Sequence, residues 1–133
     1  NEASYALQAM PERPHEKIKM ALDRLIMTIK TSRDFVQTCR LIAQATNSTA
    51  IPERAKQIIE EKRDVPYRVI AEIISEGQKE GTIVRGDPAQ LAVLFWTSIN
   101  GLAIYAAIRE DCDNLPGADL LYGNFLEGYD HGK

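Results

Sequence analysis

The chain has 133 residues, 44% of them apolar and 26% charged, which is one domain's worth of sequence with a core to bury. Its net charge of −3, with no run of like charge, excludes a surface that grips nucleic acid by itself, because phosphate binding needs concentrated Lys and Arg. Cys39 and Cys112 are too few for a disulfide framework and no CxxC occurs, so the reading is two free thiols in a reducing cytoplasm.

The opening stretch, NEASYALQAM, has neither the basic nor the apolar segment of a secretory signal, and it lacks an initiator Met. Beyond it helical periodicity dominates, and strand-like alternation is almost absent. Residues 14–30 form the first strong helix, with Ile18, Leu22, Leu25 and Ile29 on one stripe and Ala21 and Ile26 at its edges. Pro14 suits its first turn. Met20 and Met27 fall on the opposite side, among Asp23, Arg24 and Lys30, and would suit a helix surrounded on more than one side. Ser32 caps a second helix to about residue 46, with Phe35, Cys39 and Ile42 on one face and Val36 and Ala43 beside them. The stretch TNSTAIP is a loop.

A long helical segment over residues 52–80 puts Ile59, Pro66, Ile70, Ile73, Ile74 and Gly77 on one stripe and leaves Glu60, Glu61, Lys79 and Glu80 solvated. Pro66 removes a backbone hydrogen bond and clashes with the preceding turn, so a kink or restart is expected near Val65. The segment EGQKEGTIVRGDPAQLAVLFW then joins this helix to the next. Its glycines follow a helix and match neither a Walker A loop nor GxGxxG. Helix punctuation accounts for them. Gly81 can close the helix in a left-handed conformation, and the short link of Thr82, Ile83 and Val84 can dip an apolar side chain back onto the helix end. Asp87 is an N-cap with Pro88 at the first helical position, so Arg85-Gly86-Asp87 is cap chemistry and not an adhesion tripeptide. Gly77, on the buried stripe, is expected to let another helix backbone approach.

The helix over residues 88–109 carries no charge from Pro88 through Ile108, a length that invites a transmembrane reading. Gln90, Thr97, Ser98, Asn100 and Gly101 interrupt it, and no second hydrophobic segment accompanies it. The preferred reading is a helix buried on more than one side, in part against a second subunit, with no membrane. EDCDNLPG is a loop, and a last helix is expected over residues 118–130 through Ala118, Leu121, Tyr122, Phe125 and Tyr129. Gly123 and Gly128 give it poor propensity, so packing must hold it. The predicted fold is an all-α, antiparallel helical bundle of about five to six helices.

Enzyme signatures fail. His15 and His131 support neither a metal cluster nor a triad, and the Asp111, Asp113, Asn114 loop lacks the closing Glu of a calcium site. Cys112 among acids has its thiolate disfavoured. The reading is no enzyme, no metal and no cofactor.

The stretch ISEGQKEGTIVRGDPAQLAVLFWTSINGLA resembles the C-terminal domain of TetR-family transcriptional regulators. Those domains carry a helix ending in a phrase like EGxxxGxIR, a short link, a D-P start and an apolar helix with a mid-helix Gly. Here these correspond to residues 76–85, Asp87-Pro88, and the helix holding Trp96 and Gly101. The three-helix DNA-binding unit with which family members begin has no counterpart in the chain. The resemblance therefore implies the regulatory portion of a longer protein, with residues 1–12 the end of a connecting helix (over 3–10) and a linker, and residues 13–133 the effector-binding and dimerisation domain. It further implies a repressor whose DNA contact runs only through the missing helix-turn-helix, a homodimer built from the last two long helices of each subunit, and a small, largely apolar effector. For the interface the candidates are Leu94, Ser98, Gly101 and Tyr105, with Leu121 and Phe125. For the effector pocket they are Ile26, Tyr67, Trp96 and Asn100, chosen as apolar or aromatic walls with hydrogen-bonding groups. The alternative from another class is a structural or adaptor bundle that docks a protein partner through its apolar helix.

Overall fold

The computed structural model describes residues 2–47, 53–109 and 114–127. Within them the chain is an all-α bundle of six helices: α1 (Glu2–Ala9), α2 (Pro14–Thr31), α3 (Arg33–Asn47), α4 (Glu53–Glu80), α5 (Pro88–Arg109) and α6 (Ala118–Tyr122). α5 packs against α4, α3 and α2, while α2 also meets α4 and α6, and α1 lies across α4 and α2. The expectations for the side chains of Cys39, Ile42, Ala43, Ile59, Glu60 and Glu61, and for residues 48–52, Asp111, Cys112, Asp113, Gly128, Tyr129 and His131, lie outside what is described.

α2 buries Ile18, Leu22, Ile26 and Ile29, with Ala21 and Leu25 packed at the margin. Ile26 thus takes the central place expected of Leu25. The steps 18, 22, 26, 29 follow the helical period as well as 18, 22, 25, 29 do, so the neighbours decide. Met20 and Met27 remain exposed, 37% and 59%, on the side of α2 away from this stripe. Ser32 serves two helices at once. Its N–H donates to the Thr28 carbonyl at 2.7 Å, and its hydroxyl accepts from the Phe35 N–H at 3.2 Å. A single residue therefore makes the corner between α2 and α3.

Of the kink or restart expected near Val65, the restart does not occur: α4 is one helix through Pro66. Its second half buries Val69, Ile70, Ile73 and Ile74, and that packing holds the helix across the missing hydrogen bond.

The end of α4 is closed as the sequence suggests and filled in a way it did not. Gly81 has φ +79°, and its N–H donates to the Gln78 carbonyl at 3.1 Å while the Thr82 N–H donates to the Gly77 carbonyl at 3.0 Å. That pair of bonds is a Schellman closure. Ile83 then turns back, 2% exposed, onto Gly77 itself, where an added Cβ would stand 2.2 Å from Ile83 Cδ1. Gly77 accordingly makes room for a side chain of its own link and not for another helix's backbone. The Gln78 amide donates to the carbonyls of Val84 and Gly86 at 3.0 and 2.8 Å, tying down the rest of the link. Asp87 Oδ1 accepts from the Ala89 N–H at 2.9 Å and opens α5.

The last helix ends after Tyr122 and not near residue 130. Gly123 weakens it, and the α4–α5 link offers the following residues a better partner. Val84 N–H donates to the Phe125 carbonyl at 2.7 Å, Glu127 N–H donates to the Thr82 carbonyl at 3.2 Å, and Ile83 and Leu126 form an isolated antiparallel bridge. Phe125 is drawn into the core, edge-on to Phe95 with ring centroids 5.9 Å apart.

Gly77→Ala is expected to lower unfolding free energy by about 1–3 kcal/mol through overpacking against Ile83, a β-branched side chain with little room to turn. Gly81→Ala should cost about 1–2 kcal/mol for its left-handed backbone. Urea titrations followed by circular dichroism measure both, and an unchanged midpoint for Gly77→Ala would refute the seat assigned to Ile83.

Candidate functional site

α5 has two working faces. One side carries Ala92, Phe95, Ile99, Ala103, Ala106 and Ala107 into the core, and its small alanines let α3 and α4 come close. Between that side and the outer one, Trp96 leans over α4. Its indole N–H donates to the Pro66 carbonyl at 3.1 Å, and its ring lies 5.0 Å from Phe95 and 6.2 Å from Tyr67, centroid to centroid. An indole fixed in this way is a rigid wall.

That wall closes the back of a cleft of about 470 Å³, large enough for a small organic molecule. α1 contributes Leu7, with Met10 just beyond its end, α2 contributes Met20 and Leu25, and α4 contributes Val69 and Ile70. Ser4, Asp23 and Arg24 supply its polar groups. The lining is chiefly aliphatic, thioether and indole, surfaces that favour an apolar, polarisable guest.

Of the four residues nominated for a pocket, the structure places Trp96 on the cleft. Tyr67 stands behind Trp96 as a neighbouring ring, and Ile26 is core, 5% exposed. Asn100 is half-buried one turn further along α5 and is not part of the lining. Met10, Met20 and the α1 residues of the lining carry no pocket signal in the sequence. Met20 lies off the apolar stripe of α2, as suits a helix met on more than one side, and nothing in α1 marks it as a cover until its position over α2 and α4 is known.

The nominated interface divides similarly. Leu94, Gly101 and Tyr105 are exposed along the outer side of α5, Ser98 borders them, and Val93, Thr97 and Ile108 complete the same face. Ile108 is 67% exposed and Leu94 46%, high values for large apolar side chains. A Cβ added at Gly101 would meet nothing within 4 Å, so this glycine leaves a notch on the outside of the bundle. The hydroxyls of Thr97 and Ser98 are turned onto their own helix, each donating at 2.7 Å, to the carbonyls of Val93 and Leu94. Their hydrogen-bonding needs are met within α5, which leaves the face effectively apolar. Leu121 is half-buried and packed against the core, and Phe125 is 1% exposed, so neither is presented outward. α6 packs on α2, not beside α5, and is too short to be one of two long interface helices.

α5 is, among the described residues, the one helix long and apolar enough to cross a membrane, and its inner face is committed to the core. No group of three or more His, Cys, Asp or Glu side chains there could hold a metal ion. The phenol of Tyr122, outside the cleft, has its pKa raised by burial and secondarily by the Glu16 carboxylate.

Compared with known proteins, the chain matches no family model, no curated protein and no solved structure.

Trp96 is the chain's one tryptophan and reports the cleft directly. Trp96→Phe keeps a ring at the wall but removes the donor to the Pro66 carbonyl, so it should destabilise the fold by about 1 kcal/mol. A thermal melt of wild type against Trp96→Phe measures this, and equal midpoints would show that the bond contributes nothing.

Proposed function

We propose that the chain is the effector-sensing and dimerisation domain of a TetR-like transcriptional repressor, acting in the cytoplasm. A small, largely apolar ligand enters the cleft, and DNA contact is left to a helix-turn-helix elsewhere in the protein. The observation that carries this reading is the double use of α5: the same helix supplies Trp96 to the cleft and Val93, Leu94, Gly101, Tyr105 and Ile108 to an outward apolar face. A ligand pressing on Trp96 acts on the helix through which two copies would meet. Coupling between ligand and DNA then follows if the ligand prefers one arrangement of the pair. The resemblance of residues 76–101 to the regulator family adds to this reading.

Two copies related by a twofold axis through α5 would set Gly101 against its counterpart, the notch allowing the two backbones to approach. The outward face equally favours a second reading, an adaptor bundle that docks an unrelated apolar helix.

Light scattering separates the two. A mass twice the 14.9 kDa of the chain is expected at micromolar concentration, falling to the monomer in Leu94→Glu, which places a carboxylate on the dry face. A wild-type monomer would defeat the dimer reading and favour the adaptor. Gly101→Ala should leave or raise single-chain stability, by at most about 1 kcal/mol, while weakening association. Independently, a helix-turn-helix should be encoded within roughly sixty codons upstream of Asn1, and its absence would sink the regulator reading.

A further inference from the structure

α1 has no fully buried residue, yet it forms one whole side of the cleft through Ala3, Ser4, Ala6 and Leu7, with Met10 just beyond its end. With none of its residues fully buried, α1 has little packing to hold it over the cleft. Two polar contacts converge on one residue near its end. The Gln8 side-chain amide donates to the Glu72 carboxylate on α4, and the Gln8 carbonyl accepts from Lys17 Nζ on α2 at 2.9 Å.

Lys17 is the decisive partner. It is 6% exposed, the one charged side chain buried among the described residues, and no carboxylate there lies within ion-pair reach of it. A buried ammonium is costly unless its protons are taken up, and here the acceptor is a carbonyl of the last turn of α1, where the helix carries its partial negative charge. If α1 lifts, that ammonium loses its acceptor and the Glu72 carboxylate loses its donor in the same movement. Both of these polar contacts of α1 therefore meet at Gln8.

The geometry points to α1 as a lid over the cleft, latched at Gln8 by Lys17 and Glu72, whose closure is coupled to occupation of the cleft by an uncharged apolar molecule. The coupling rests on the cleft being a ligand site; the latch itself does not. A guest between α1 and α2 adds apolar contact to a helix that has little, so it favours the closed position. A chain with a weakened latch holds such a guest less tightly because it must close α1 at the guest's expense.

Amide hydrogen exchange of the whole chain tests the latch without any ligand. Lys17→Met, which keeps the apolar stem and removes the amine, and Gln8→Glu, which sets two carboxylates face to face, should each speed exchange over residues 3–10 by about tenfold while α5 amides stay protected. Gln8→Glu combined with Glu72→Gln reverses donor and acceptor across the same gap and should bring exchange back toward wild type. That rescue would not occur if the single change merely disturbed the helix. Exchange over residues 3–10 unchanged in both single variants, or no rescue by the swap, overturns the latch. For the coupling, 1-aminoanthracene is titrated against Trp96 emission, and the single variants should bind it about three- to tenfold more weakly, the swapped pair near wild type. Equal affinities across the series overturn the coupling. If wild type itself gives no titration, the ligand-site reading fails with the coupling, and the latch is still decided by the exchange data.

Discussion

Ile83 seated on Gly77 is the contact on which the rest of the bundle depends. α4 ends by wrapping its last carbonyls with the N–H groups of Gly81 and Thr82, and the side chain of Ile83 then fills the notch that Gly77 leaves. Because the link is held there, its backbone is available to residues 125–127, which pair with it and bring Phe125 against Phe95. The same link aims Asp87 and Pro88 so that α5 returns along α4, and Trp96 reaches the Pro66 carbonyl. One missing Cβ thus fixes the helix pair, the C-terminal cover and the wall of the cleft. A defect at this point would be felt at sites far apart in sequence.

The long central helix shows how packing outweighs local preference. Pro66 is a poor residue for a helix interior, yet α4 is continuous across it. The isoleucines and Val69 beyond it are among the most buried residues of the core, and Pro66 supplies the acceptor that orients Trp96. The residue that reads as a break in the sequence serves as an anchor in the fold. At the C-terminal end the balance runs the other way. The helix of residues 118–122 has an aromatic period that would carry it further, but Gly123 and the free backbone of the link stop it.

The wall of the cleft and the outer apolar face share one helix. α5 has no charged residue before Arg109, and the structure divides its apolar surface between a core face rich in alanine and an outer face notched at Gly101. The polar side chains on the outer face, Thr97 and Ser98, spend their hydroxyls on the helix backbone. Across the bundle α1 is the reverse case, a helix with little apolar burial held by a buried amine and a glutamine. The cleft lies between a strongly packed wall and a weakly packed one.

The sequence by itself determined the all-α class, the approximate bounds of the helices from residues 14 to 109, and the caps at Ser32, Gly81 and Asp87. These follow from periodicity and from backbone chemistry within a few residues, and no distant contact is needed to read them. It nominated Trp96 for an effector pocket and Leu94, Gly101 and Tyr105 for a dimer interface, and the structure puts the first on the cleft and the others on the outer side of α5. Tertiary structure alone decided that Ile83 fills the place of Gly77's absent side chain, that Phe125 turns inward, that Met20 and α1 line the cleft, and that Lys17 is buried against α1. Each of these depends on which segment lies opposite, and helical spacing gives a residue's face without saying what meets it.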